Sequence, residues 1–306
     1  MALKQQPLAP ENGDRPLAVS GYLGPLRRMV REPRDNLIVA PTGFNFLDQM
    51  IGGLVPGLHI VSGEPGVGKT TLALHVAASA ARAGLPVLYL TFDSLPQHLV
   101  LRLVCQQAGL EIRRIMEGKE DPEVVEEAMT SCATELARIA ILGSEPTVTA
   151  DEIWRMTQDL RAEHGAAHCL LIVDYLQIWA AGRRDFSEFC HEVGKLITLL
   201  RRFTIEFESP VLAISSQSRD RQGESTLASL EGTTDLEYSA DTVIFLTRVD
   251  PPVGKQDYDA GDSDLARARS LLLNVRKNRF GNTGAMVIKF LPHIGRLFEE
   301  TACDFD

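Results

Sequence analysis

The sequence predicts an α/β fold: a mostly parallel central sheet flanked by helices on both sides, with an antiparallel hairpin at one edge. Three observations predict it. From about residue 37 onward, strand-length apolar runs alternate with helix-length amphipathic ones. The run "CLLIVDY" is apolar without interruption, as a strand buried on both faces must be. Near the end, "ARSLLLNV" and "AMVIKFL" lie on either side of the short turn "FGNTG", the pattern of two paired strands.

The elements follow in order. "LHIVSG" is a short strand, and "KTTLALHVAASAARAG" an Ala-rich helix closed by Gly84. "PVLYLTFD" is the next strand. Residues 96–108 and 122–138 read as helices, the second with Asp121 as cap and Pro122 in its first turn. "IAILG" is a strand, and "TADEIWRMTQDLRAEHG" opens a helix with the capping box Thr149 and Glu152. After "CLLIVDY", residues 186–207 are helical, and "PVLAISS" and "DTVIFLTRV" are strands. The Asp-rich stretch 250–264 reads as a solvated loop.

With 306 residues, 44% of them hydrophobic, the chain is long enough to bury one large core. A net charge of −10 argues against a protein held to nucleic acid by overall charge, though not against a local basic lining. The five cysteines are scattered singly, which favours reduced thiols over disulfides or a zinc site. The N-terminal segment lacks the apolar core of a signal peptide, and no apolar run approaches the ~18 residues of a membrane span. The expected compartment is the cytoplasm. Residues 1–19 are polar and Pro-rich and are expected to be disordered. In 20–35, Leu23, Leu26 and Val30 form a narrow stripe on a short helix that Pro33 ends. That stripe needs a surface, either its own core or a neighbouring subunit.

"GEPGVGKT", Gly63 to Thr70, is the G-x-x-x-x-G-K-[ST] pattern of a phosphate-binding loop set between a strand and a helix. Its backbone, Gly63, Glu64, Pro65, Gly66, Val67 and Gly68, can converge N–H groups on an anion, and the helix N-terminus beginning Lys69, Thr70, Thr71 adds its partial positive charge. Lys69 brings a compact charge to the β- and γ-phosphates, and Thr70 a hydroxyl for Mg²⁺. Asp174 ends an apolar strand, where a carboxylate can hold Mg²⁺ through water. Asp93, at the end of "PVLYLTFD", is the candidate for orienting and deprotonating water, with Glu64 as the fallback. The competing role for Asp93 is a helix cap before "SLPQHL". ATP and Mg²⁺ are the expected ligands.

"PTGFNFLDQMIGGLVPG", "GEPGVGKTTLALHVA", "LIVDYLQ" and "RKNRFGNTG" together resemble the motor domain of DnaB-like replicative helicases, across about residues 36–300. The resemblance implies a RecA-like P-loop NTPase, with residues 36–306 as one ATPase motor domain, and a ring, usually of six subunits, with ATP bound between neighbours. It implies that Lys277 and Arg279, at the hairpin, reach the γ-phosphate of the adjacent subunit. An arginine supplied in trans would stabilise charge on the transferred phosphoryl group. The family usually has Glu where this sequence has Asp93, and a γ-phosphate-sensing Gln where direct alignment places Ser216; Gln217 is one position later. The family's N-terminal collar that docks primase is not seen ahead of residue 36, so primase docking is not expected.

The resemblance further implies single-stranded DNA running through a central pore, held by loops at 180–186 and 218–237. Arg183, Arg184, Arg219 and Arg221 are the candidate phosphate contacts, with Gly223 leaving the backbone approachable. Within 218–237, however, the two arginines face Asp220, Glu224, Glu231, Asp235 and Glu237. That is a poor balance for charge-driven binding. The expected function is an ATP-dependent single-stranded DNA translocase or ring-shaped helicase. The alternative is a non-unwinding ATPase of the KaiC or RadA sort, using ATP to switch assembly.

Overall fold

The computed structural model describes residues 19–24, 27, 40–143, 145, 147–180, 186–221, 224–230, 234–249 and 268–299. The expected N-terminal tail, most of the short helix at 20–35 and the loop at 250–264 lie outside the described residues, Val19–Tyr22 forming a 3-10 turn.

Nine strands form one sheet, in the order β3-β2-β4-β5-β1-β6-β7-β8-β9. They are β1 (Gly57–Gly63), β2 (Val87–Thr91), β3 (Ile139–Gly143), β4 (Leu170–Asp174), β5 (Pro210–Ser215), β6 (Thr242–Arg248), β7 (Arg269–Asn278), β8 (Gly284–Leu291) and β9 (Arg296–Glu299). The first six in spatial order are parallel. The last three run antiparallel to their neighbours. The mostly parallel sheet with an antiparallel hairpin is as the sequence predicts, and β9 extends that edge by one strand.

Two of the helices have a side-chain cap at the N-terminus. The helix Pro122–Leu136 starts at Asp121, whose carboxylate accepts from the Glu123 N–H at 2.9 Å. The helix Ala150–Glu163 has the complete Thr149–Glu152 capping box, a device worth ~1 kcal/mol. Helices cover both faces. On one face, Leu72, Val76, Leu99 and Leu103 from Lys69–Arg82 and Pro96–Ala108 pack on Val61, Tyr89 and Ile172. On the other, Ile153, Val193, Ile197, Leu200 and Phe203 pack on Ile60, Leu88, Leu90 and Val173. Each such fully buried side chain contributes about 1.5–3 kcal/mol by leaving water, so the two layers hold the parallel strands in a fixed register. That register gathers the C-terminal ends of β1, β2, β4 and β5 at one edge, where ligands bind in folds of this type. Among the described residues, no helix is long and apolar enough to cross a membrane.

Candidate nucleotide site

A cavity of about 940 Å³ opens at that edge, lined by Pro65, Gly66, Gly68, Lys69, Thr70, Thr71, Asp93, Asp174 and Ser216, among others. Strand β1 delivers the loop and the helix Lys69–Arg82 continues it. Gly63 must be glycine, because a Cβ there would lie 2.3 Å from the Leu246 carbonyl oxygen of the adjoining β6. Gly66 and Gly68 take φ +71° and +113°, which lets the chain turn back into the helix. Val67 is buried and pins the loop from beneath. Gly63, Glu64 and Val67 thus shape the loop without their side chains lining the cavity.

Lys69 Nζ donates to the carbonyls of Gly63 at 2.7 Å and Glu64 at 2.9 Å. Burial lowers its pKa, and the charges of Asp174 and Glu64 oppose that shift. Asp174, 3% exposed, has its pKa raised by burial, with the Asp93 carboxylate adding to the rise. Hydroxyl donors from Tyr89 and Thr70 and the charge of Lys69 pull the other way. The Tyr89 hydroxyl donates to Asp174 Oδ2 at 2.7 Å, and its own pKa is pushed well up by burial beside that carboxylate. A buried carboxylate touching a threonine hydroxyl supplies hard oxygen ligands that fit Mg²⁺, and the lysine facing them suits phosphates. Asp93 is exposed at the rim, two residues past the end of β2 rather than on it.

Strand β5 ends at Ser215, and this fixes which neighbour faces the cavity. Gln177 clamps the strand end: its Nε2 donates to Ser215 Oγ and its Oε1 accepts from the Ser216 N–H, both at 2.9 Å. Ser216 lines the cavity. Gln217 turns away from it: the side chain is buried, with Nε2 donating to the Glu224 carbonyl at 2.7 Å and to Ser229 Oγ at 3.3 Å. The strand end does not shift by the residue that would bring Gln217 to the phosphates.

The hairpin cations lie elsewhere. Lys277 pairs in register with Val243, and the Arg279 N–H bonds the Asp241 carbonyl, level with Leu58 at the start of β1. The loop begins at Gly63, so Arg279 lies on the order of 17 Å back along the strands, at ~3.3 Å per residue. Lys277 Nζ donates to the carbonyls of Glu237 at 2.6 Å and Tyr238 at 3.1 Å. Its pKa is lowered by burial and by Arg279. Of the candidate DNA contacts, Arg221 is exposed in a 3-10 turn, while Arg183, Arg184, Gly223 and the Arg219 side chain lie outside the described residues.

The cavity's other walls were not legible from motifs. Arg102 and Gln106 come from the helix Pro96–Ala108, Met116 from the short helix Ile112–Met116, Phe290 from β8 and His293 from the β8–β9 turn. The one available signal was spacing: Arg102 and Gln106 stand four apart, one turn of a helix that follows the Asp93 strand.

Residues 40–299 match the DnaB-like helicase C terminal domain. The chain belongs to that family. Among curated proteins, this DnaB-like domain is 28% identical over 263 residues to the replicative DNA helicase DnaB of Geobacillus stearothermophilus, covering 84% of this chain and 55% of that one. It is 29% identical over 260 residues to the replicative DNA helicase DnaB of Leifsonia xyli, covering 82% and 53%. The chain spans about half the length of the curated relatives it matches. Among solved structures, a DnaB-like replicative helicase, described together with its interactions with primase, superposes with a TM-score of 0.75 at 19% identity, covering 93% of this chain and 69% of that one. A KaiC-like protein of Pyrococcus horikoshii gives 0.57 at 16% identity, covering 87% and 100%. These likenesses establish the RecA-like fold of the DnaB-like domain.

Proposed function

We propose that this chain is the ATP-driven motor of a ring-shaped DNA helicase, hydrolysing ATP at seams between neighbouring copies and translocating on single-stranded DNA. One observation carries the reading. The phosphate loop and the Lys277–Arg279 pair occupy opposite ends of the same sheet, so these cations cannot serve the chain's own nucleotide. A second copy, placed with its hairpin over the first copy's loop, makes use of both ends.

The residues then divide the work. Loop N–H groups and the helix N-terminus hold the phosphates. Lys69 exchanges its two carbonyl partners for the β- and γ-oxygens. Thr70 and Asp174 would hold Mg²⁺, which would supply neutralisation of phosphate charge. Asp93 takes the proton of the attacking water, and Glu64, whose side chain does not line the cavity, is set aside. Lys277 and Arg279 of the next copy stabilise charge on the departing phosphoryl group, a contribution of ~10³–10⁵ in rate for arginine fingers generally. Ser216 stands where a γ-phosphate can be sensed. Arg183, Arg184, Arg219 and Arg221, with the Gly223 backbone, contact DNA phosphates in the pore of a hexameric ring.

A second reading, an ATP-switched assembly protein that does not unwind, is favoured by the acidic balance of 218–237 and by the engagement of Gln217 away from the cavity. Two measurements separate them: mass in solution with and without ATP and single-stranded DNA, and unwinding of a forked duplex. The motor reading expects a ring with nucleotide, DNA-stimulated hydrolysis and strand separation. A protein that stays monomeric with ATP overturns both the seam and the motor.

A further inference from the structure

Asp241, the residue before β6, is 2% exposed and gathers four donors. Its Oδ1 accepts from Arg279 Nη1 at 3.0 Å. Its Oδ2 accepts from the Leu58 N–H at 2.8 Å and from Arg201 Nη1, on the helix Phe186–Glu206. Its backbone carbonyl accepts from the Arg279 N–H at 2.8 Å. The adjoining chain leaves room for this carboxylate: a Cβ on Gly57 would lie 2.7 Å from Oδ2.

We infer that Asp241 is the positioning residue for the trans-acting Arg279, aiming it outward toward the neighbouring copy's nucleotide while Arg201 shares its negative charge. The inference rests on the proposed hydrolysis at the seam and adds a residue to it.

The geometry of the guanidinium supports this. Arg279 donates through Nη1 to Asp241 and through Nη2 to the Tyr238 carbonyl at 3.2 Å. These contacts take one hydrogen from each terminal nitrogen. Among the described residues, the other three of its five N–H groups make no hydrogen bond, which leaves them for an incoming phosphate on a side chain that is 44% exposed. A guanidinium held at two points on its inner edge loses little further freedom when its outer edge binds. The charge count matters equally. A carboxylate paired with Arg279 alone would cancel the charge that a phosphate needs to meet. Here the same carboxylate also serves Arg201, so Asp241, Arg201 and Arg279 together remain net positive, and Lys277 beside them adds to it.

The test uses Asp241→Asn, which keeps the shape and an acceptor for the Leu58 N–H but removes the charge. Asp241→Asn and Arg279→Ala are each assayed for ATPase alone and in equimolar mixture with Lys69→Ala. Asp241→Asn alone is expected to lose about 30-fold in hydrolysis, less than the ~10²–10³ for removing a charge-stabilising group outright, because Arg279 itself remains, with affinity for a fluorescent ATP analogue within about twofold. Mixed with Lys69→Ala it is expected to recover toward about a quarter of the unmodified rate, the share of seams in a random ring that pair an intact loop with an intact finger. A purely structural role for Asp241 would damage its own chain and permit no such rescue. Hydrolysis by Asp241→Asn at the unmodified rate overturns the inference. So does failure of its rescue when Arg279→Ala is rescued. Failure of the Arg279→Ala rescue instead removes hydrolysis at the seam itself, and this assignment with it. Should Asp241→Asn lose nucleotide affinity, Arg201→Gln replaces it, keeping the buried carboxylate. An approximately threefold loss is then expected for Arg201→Gln alone, with its rate per Arg201→Gln subunit rising about twofold on mixing with Lys69→Ala, and an unchanged rate overturns the inference.

Discussion

Tyr89 donates its hydroxyl to Asp174 Oδ2 at 2.7 Å across the adjacent strands β2 and β4. The tyrosine is fully buried, so its one polar side-chain atom is spent on the carboxylate proposed to hold the metal. Tyr89→Phe leaves Asp174 buried with one donor fewer. The expected cost is about 1–3 kcal/mol in stability, read by denaturant unfolding. Because the partners behind metal ligands tune affinity, the Mg²⁺ concentration for half-maximal hydrolysis should rise about tenfold. An unchanged Mg²⁺ titration would remove Asp174 from the metal site.

Asp93 lies at the cavity rim and adds to the rise in the Asp174 pKa. Asp93→Asn should bind ATP with KM changed less than about threefold and lose at least ~10² in kcat, the usual size of a general-base contribution. Asp93→Glu, which restores the length usual in the family, should equal or exceed the unmodified rate. Steady-state kinetics of the two variants decides between Asp93 as base and Asp93 as a cap, since a cap would alter stability and leave kcat in place.

His75 stacks on Phe44 at 4.5 Å in the phosphate-loop helix, and burial lowers its pKa to about 4. The unfolded chain binds a proton near 6.5, so it carries more protons than the folded chain between 6.5 and 4. Stability from this group is therefore complete above pH 6.5 and falls as pH drops toward 4. Allowing for partial exposure of the ring, the loss is about 2 kcal/mol. His59, also lowered by burial, acts with the same sign, and Asp174, raised by burial, with the opposite one. The difference between the unmodified protein and His75→Gln, followed by urea unfolding across that range, isolates His75 and should shrink as pH falls.

Gly63→Ala places a methyl group 2.3 Å from the Leu246 carbonyl oxygen. Backbone cannot yield there without parting β1 from β6. A destabilisation of about 2–4 kcal/mol is expected, with loss of measurable ATP binding. A variant that melts normally and still binds nucleotide would mean the loop adopts another path.

The placing of the Gly63–Thr70 loop and of Asp174 at strand ends was legible because each announces itself locally, by glycine spacing or by a charge at the end of an apolar run. The strand elements were legible for the same reason. What local pattern cannot carry is lateral order: nothing in "LHIVSG" says that its neighbours are β5 and β6. Tyr89 was unreadable because its partner lies 85 residues away. The short helices Ile112–Met116, Leu176–Trp179 and Thr234–Ser239 span barely a turn or two, too little for a period to show. Which of Ser216 and Gln217 faces the cavity turned on a single residue at a strand end, where alternation stops. That facing is set by Gln177, a side chain from another element.

Strand β1 starts with Leu58 bonded to Asp241 and finishes in the phosphate loop at Gly63. It is buried along its whole length and paired on both sides, so it behaves as a strut with no slack. In the proposed ring of such subunits, the struts would stand in series. A push delivered at one seam would arrive at the next with no slack along β1 to absorb it.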